Sequence, residues 1–297
     1  MAKTSAGTDS NEMTRNIKEI VQAMKLYKTT RGVLFEKDGN FFPVPEGIDD
    51  LLSSEHLADA LAKAATGHTV GAPAPQEILA PVGTQEIWAS GVTYYRSRNA
   101  RMEESKDAGG GTFYDRVYNA ERPELFFKAN GHAVVGPSGK VRIRRDATWS
   151  VPEPELVLVI NASSHIVGFT VGNDMSSRDI EGENPLYLPQ AKVYDGSCAI
   201  GPCILLASSI ATDTVIRIRI LRDEHTVFEG QTPLTEMKRK PEELAGYLYR
   251  ENTFPVGSFL FTGTGIVPPD DFTLAPDDTI VISIDGVGTL ENIVADV

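Results

Sequence analysis

Residues 152–160 read PEPELVLVI, and residues 165–174 read HIVGFTVGND. Both runs are rich in apolar and β-branched residues, and four short residues, NASS, separate them; this pattern is typical of two strands joined by a turn. Because the first run is almost wholly apolar after its two glutamates, we expect that strand to be buried. The stretch therefore predicts a buried hairpin that turns at Asn161–His165.

Three carboxylates lie at the open end of this predicted hairpin. Glu153 and Glu155 are two residues apart, so on a strand they point to the same face, about 6–7 Å from each other. The pairing puts Asp174 opposite or diagonal to them. Burying like charges is costly without a counter-charge, and Mg²⁺ or Ca²⁺ prefers carboxylate oxygens. The pattern indicates a divalent-cation site; solvated acids at a strand start and a turn are the alternative.

Four further polar positions stand beside apolar runs. Lys192 precedes an apolar strand and is a candidate base or carboxylate anchor, with a surface lysine as the alternative. Glu124 and Lys128 border the aromatic run in RPELFFKA at 122–129. Gly263-Thr264-Gly265 follows FLF and is either an anion-binding loop or an ordinary turn.

The chain before residue 75 has a different character from the rest. Apolar spacing predicts helices over 13–28 and 48–66, and Asp38-Gly39 between two β-rich runs predicts a hairpin. A stretch rich in Ala, Pro and Gly then indicates a boundary near residue 75. We therefore expect a small α+β domain over 1–75 and a larger domain over 76–297.

Short β-rich runs dominate the larger domain. Helices are expected only over 99–107 and 241–251, so the chain is β-rich α+β rather than alternating βαβ. Residues 103–118 contain three consecutive glycines among charged and aromatic residues, which is typical of a mobile lid.

Composition excludes several classes of protein. The chain has 297 residues, 41% of them hydrophobic, and a formal net charge of −13, which disfavours a nucleic-acid partner. No apolar run suits a membrane span or a signal peptide, so we expect a cytoplasmic protein without a membrane partner. Cys198 and Cys203 are expected to be reduced and buried. Nucleotide-binding and serine-hydrolase motifs are not present.

Five motifs together carry a family resemblance, which spans residues 88–294. They are RPELFFKA, PEPELVLVI, VGNDMSSRD, PLYLPQAKVYDGSCAIGP and FTGTGIV. In order and spacing they resemble the fumarylacetoacetate hydrolase superfamily. The resemblance implies a mixed β-roll catalytic domain after a small N-terminal α+β domain, assembled as a homodimer or a dimer of dimers.

The resemblance also implies roles for individual residues. Glu153, Glu155 and Asp174 would hold Mg²⁺, or another divalent cation such as Mn²⁺ or Ca²⁺. Glu124 and Lys192 would face a small-molecule 2-keto acid, and Thr264 would meet its carboxylate. We place Arg178 and Lys128 among the substrate-binding residues as well.

One departure from the superfamily separates its branches. Hydrolytic members carry a His-Glu pair on a lid helix, whereas the equivalent stretch here, GVTYYRSRNARMEES at 91–105, has Glu103 and Glu104 but no histidine. Hydrolysis needs an oriented base on a water. The chain is therefore most similar to the branch that dehydrates 2-keto-3-deoxy sugar acids, pentonates in particular, to 2-oxoglutarate semialdehyde.

The expected mechanism assigns the C3 proton to Lys192 and the departing hydroxyl to Glu124, and the reverse assignment stays open. A hydrolase of 2,4-diketo acids on the same fold is the alternative function. A catalytically idle binding protein is the third hypothesis, which the intact carboxylates and Lys192 disfavour.

Overall fold

The computed structural model describes residues 24–96 and 116–295. Within these ranges the strands are β1 (Lys25–Thr29), β2 (Gly32–Lys37), β3 (Asn40–Val44), β4 (Glu86–Gly91), β5 (Glu124–Asn130), β6 (Lys140–Arg142), β7 (Ser150–Val151), β8 (Pro154–Ile160), β9 (Ile166–Asp174), β10 (Ser176–Ser177), β11 (Cys198–Leu206), β12 (Val215–Arg222), β13 (His225–Pro233), β14 (Ser258–Phe261), β15 (Thr279–Ile284) and β16 (Gly288–Ala295). The helices are α1 (Ile48–Ser53), α2 (Leu57–Ala64), α3 (Arg178–Glu183), α4 (Leu188–Lys192) and α5 (Pro241–Leu248).

Two sheets make up most of the fold. The larger one has nine strands in the order β3-β2-β1-β11-β9-β8-β14-β4-β5, and the other has five in the order β13-β12-β15-β16-β6. Neighbours are antiparallel except for the parallel pairs β14–β4 and β16–β6. The predicted β-rich α+β fold with a mixed sheet is confirmed.

Strand β8 is covered on both faces, as its apolar run predicts. Leu156, Leu158 and Ile160 belong to the core shared with the five-stranded sheet. Val157 and Val159 belong to a second core, which contains residues of α1, α2 and the first strands. All seven residues of β8 are buried. Side chains alternate between the two faces of a strand, so Glu153 and Glu155 lie on the same face as Val157.

The predicted hairpin is confirmed, including its turn. The amide of Asn161 donates to the carbonyl of His165 at 2.9 Å, and Leu156 lies opposite Val171. Asp38 and Gly39 close the predicted N-terminal hairpin with φ of 56° and 73°, as a type I′ turn requires.

The N-terminal strands extend the nine-stranded sheet. In this sheet β1 pairs with β11, so that Leu26 lies opposite Ile204. The domain boundary near residue 75 therefore stays a prediction.

Two helix predictions are wrong in part. Residues 25–28 of the expected helix over 13–28 lie in β1, where sheet pairing overrides their helical spacing; residues 13–23 lie outside the described residues. The expected helix over 48–66 is two helices. The hydroxyl of Ser54 accepts from the amide of His56, and the carbonyl of Leu52 accepts from Ala162 instead of continuing the helix.

Both cysteines are buried and free, as expected. Burial raises the pKa of Cys198 to about 12 and that of Cys203 to about 11, so both thiols stay protonated at neutral pH. Within the described ranges, none of the helices has the length and apolar character that a membrane span requires.

Candidate active site

Three buried carboxylates meet at the end of the β8–β9 hairpin. Oxygens of Glu153, Glu155 and Asp174 all lie within 4.8 Å of one another. Their exposed fractions are 3%, 1% and 1%. The structure thus brings together the three residues that the sequence predicted as metal ligands.

The backbone fixes this convergence. Glu153 and Asp174 exchange both of their backbone hydrogen bonds, at 3.2 and 2.9 Å, so their side chains lie on the same face of the sheet. Glu155 is oriented from a different direction, because the amide of Gly263 donates to its Oε2 at 2.6 Å. Gly263 follows β14 with a φ of +88°, a conformation that favours glycine.

Three buried cations contact the carboxylates. The Lys192 ammonium lies 2.5 Å from Oε2 of Glu153 and 3.1 Å from Oδ2 of Asp174, and it also donates to the Ser176 hydroxyl. Lys128 lies 2.5 Å from Oδ1 of Asp174. Arg178 donates to Oε1 of Glu153 at 2.8 Å. These contacts orient two of the three carboxylates.

The ionised form of Glu155 is disfavoured by its surroundings. Burial, reinforced by Asp174 and Glu153, raises the pKa of Glu155 well above its usual range, while Lys192 and the Gly263 amide act in the opposite direction. A further positive charge beside Glu155 would favour its ionised form.

The cavity over the carboxylates collects most of the predicted site. Its lining residues include Glu124, Lys192, Thr264 and the three carboxylates. Phe126 forms an apolar wall, with its ring centroid 5.8 Å from the Lys192 ammonium. Glu124 comes from β5 and Thr264 from the loop after β14. The cavity thus joins strand ends that are distant in sequence.

Lys128 and Arg178 were predicted to bind substrate, and the structure shows them in contact with the carboxylates. Neither belongs to the described lining of the cavity; their side chains are 0% and 2% exposed and bond to Asp174 and Glu153. We therefore propose that both position the carboxylates, in place of the predicted substrate contact.

Sequence reasoning missed Glu181. This residue of α3 lines the cavity and is 1% exposed. Its spacing of three from Arg178 puts the two on one helix face, the only hint that the sequence offers. Three further predictions concern residues outside the described ranges. They are the helix over 99–107, the pair Glu103 and Glu104, and most of the proposed lid over 103–118.

The group satisfies the requirements of a divalent-cation site. Among the described residues, five carboxylates line the cavity, and three cations either line it or bond to them, which leaves two formal negative charges. The three converging oxygens are hard donors of the kind that Mg²⁺ and Ca²⁺ prefer. Glu153, Glu155 and Asp174 would hold the ion.

The fold and this carboxylate centre define a class of protein. Residues 87–295 match the family model described as the C-terminal domain of fumarylacetoacetate (FAA) hydrolase. The chain belongs to the fumarylacetoacetate hydrolase family, as the sequence motifs predicted.

Two relatives of the chain within this family are dehydratases of 2-keto-3-deoxy sugar acids. A probable 2-keto-3-deoxyxylonate dehydratase of Haloferax volcanii is 47% identical over 219 residues, which are 73% of this chain and 74% of the relative. The 2-dehydro-3-deoxy-D-arabinonate dehydratase of Saccharolobus solfataricus is 42% identical over 216 residues, 72% of each chain.

A solved structure supports the same branch. It is 2-keto-3-deoxy-D-arabinonate dehydratase complexed with magnesium and 2,5-dioxopentanoate, and it superposes with a TM-score of 0.79 at 32% identity. The match covers 92% of this chain and 99% of the other.

Replacing Lys128 by Met should lower the free energy of unfolding by about 3–5 kcal/mol, the usual cost of breaking a buried ion pair. The change leaves Asp174 without its 2.5 Å contact, and it removes the donor to the carbonyls of Met175 and Lys192. Urea denaturation measures the loss. Adding Asp174→Asn should recover part of it, and exposed Lys140→Met is the control. A loss no greater than that of the control would contradict the positioning role.

Proposed function

We propose that the chain is a magnesium-dependent dehydratase of 2-keto-3-deoxypentonates, with 2,5-dioxopentanoate, the semialdehyde of 2-oxoglutarate, as its product. One observation carries the proposal: the buried Glu153–Glu155–Asp174 group lies in one cavity with Lys192 and Glu124. The two dehydratase relatives and the magnesium complex support the same reaction.

The overall reaction removes one water molecule. A proton leaves C3 and the hydroxyl leaves C4, so that a C3–C4 double bond forms. A proton then leaves C5 and another is added at C3, which gives the enol of the C5 aldehyde. Loss of the enol hydroxyl proton and addition of a proton at C4 complete the aldehyde. When bound, Mg²⁺ would polarise the 2-keto oxygen and so make the C3 proton more acidic.

Residues of the chain supply the proton transfers. With its ammonium proton lost to solvent, Lys192 would take the C3 proton, because its nitrogen lies beside the carboxylates that would hold the ion and also lines the cavity. Glu124, another acid–base group of the lining, would protonate the departing hydroxyl. Thr264 and the loop after β14 would meet the substrate carboxylate.

The reaction type is tested with a panel of substrates. With Mg²⁺ we expect dehydration of a 2-keto-3-deoxypentonate and little cleavage of acylpyruvates. Formation of an aldehyde product measures dehydration, and release of a second carboxylate measures cleavage. EDTA should abolish the activity and Mg²⁺ should restore it. If the enzyme cleaves a C–C bond of a 2,4-diketo acid faster than it dehydrates any 2-keto-3-deoxy sugar acid, the hydrolase alternative replaces the proposal. Magnesium binding without any turnover would favour an idle binding protein.

We also propose a cytoplasmic homodimer or dimer of dimers. The family resemblance supports this assembly, and the described helices include no membrane span. In sedimentation velocity we expect a dimer or tetramer, and a monomer would overturn the proposed assembly. Fractionation of cells tests the location.

A further inference from the structure

Gly91 lies directly beneath the carboxylate of Glu124. The two residues face each other across the β4–β5 ladder, and both line the cavity. A Cβ placed on Gly91 would lie 2.2 Å from Oε2 of Glu124, 2.6 Å from its Cδ and 3.1 Å from Oε1. The carboxylate of Glu124 therefore occupies the space where any other residue at 91 would place its side chain.

The nature of this contact determines what an alanine would do. The three nearest atoms all belong to the end of the Glu124 side chain, and none belongs to the backbone. A glutamate side chain changes rotamer at small cost compared with shifting two paired strands. An alanine at 91 would thus be accommodated by moving the carboxylate, while the sheet keeps its register.

We propose that Gly91 is a positioning residue. Because it has no side chain, the Glu124 carboxylate can lie over the cavity at the place where the substrate hydroxyl is protonated. This inference rests on the proposed dehydratase function. The glycine of β4 thereby sets the location of one acid–base group relative to the metal-binding carboxylates.

The expected effect falls on turnover and spares the metal. Displacing a catalytic group by about 1 Å typically costs on the order of 10²-fold in rate, so Gly91→Ala should lower kcat by about 10- to 100-fold. The three atoms nearest to a Cβ on Gly91 belong to Glu124 and to none of the carboxylates that would hold the ion, so magnesium affinity should match that of the wild type. Gly246→Ala is the matched control, since a Cβ there meets nothing within 4 Å.

A double-mutant cycle separates positioning from a general structural effect. We expect Gly91→Ala to cost activity in the wild-type background but almost nothing in a Glu124→Gln background, because the group that it moves is already disabled. Equal losses in both backgrounds would overturn the proposal. So would a Gly91→Ala enzyme with the kcat of the wild type.

A crystal structure of Gly91→Ala gives a readout that does not depend on the reaction. The Glu124 carboxylate should be shifted by about 1 Å or more, with β4 and β5 in unchanged register; an unmoved carboxylate would refute the positioning role. If the wild type does not dehydrate a 2-keto-3-deoxypentonate, the proposed function fails, whereas the crystal structure still decides whether Gly91 fixes Glu124.

Discussion

Replacing Lys192 by Met should lower kcat about 10²- to 10⁴-fold, the usual contribution of a general acid or base, while magnesium stays bound. The ammonium of Lys192 contacts two of the three carboxylates and lines the cavity, yet it supplies no ligand atom. In the metal-free protein the ammonium contacts oxygens of Glu153 and Asp174 and competes with a metal ion for them, so its removal should leave magnesium affinity equal to or above that of the wild type.

Steady-state kinetics and calorimetric titration with Mg²⁺ measure the two effects separately. Lys63→Met, at the exposed end of α2, is the control for losing a lysine. Exchange of solvent deuterium into C3 then assigns the roles. The variant without the C3 base loses exchange, and Glu124→Gln keeps it if Glu124 is only the acid. A Lys192→Met enzyme with nearly normal kcat would remove Lys192 from the mechanism.

Glu155→Gln should abolish magnesium binding at millimolar metal and, with it, turnover. The amide has the shape of the carboxylate and still accepts from Gly263, but it removes one of three ligand charges. Changes in groups that merely support metal ligands cost roughly 10- to 100-fold in affinity, and loss of a charged ligand should cost more. Glu183→Gln, an exposed change on α3, is the control.

Glu155→Gln should lose magnesium binding without losing stability in the metal-free state. Because burial raises the pKa of Glu155, its ionised form destabilises the metal-free fold at neutral pH. The neutral amide removes that cost, so without metal the variant should melt no lower than the wild type, and Mg²⁺ should add no stability to it. Retained magnesium affinity would exclude Glu155 as a ligand.

Sequence periodicity was sufficient to predict the core of the site. The apolar run after Glu155 requires a doubly covered strand, and a strand paired with its neighbour through a short turn leaves few registers open. The observed pairing of Glu153 with Asp174 follows from that constraint. The convergence of the three carboxylates was therefore predictable, because it depends on contacts that are local in sequence.

Contacts between distant segments were not predictable in this way. Gly91 and Glu124 meet because β4 and β5 pair across the segment 92–123, and Glu181 reaches the cavity through the packing of a short helix. Lys128 resembles any lysine at a strand, and only the structure shows its contact with Asp174. Residues 25–28 likewise carry helical spacing, but pairing with β11 outweighs this local preference.

The position of β14 between β8 and β4 has a consequence for how the protein is made. Gly263 is 108 residues from the Glu155 that it bonds to, and Phe261 is 171 residues from Ser90. Contacts between residues so far apart in sequence form slowly. During synthesis the three acidic residues leave the ribosome long before the strand that completes their surroundings. Affinity for the metal is thus acquired at the end of folding, and a chain cut short before β14 carries the ligands without a finished site.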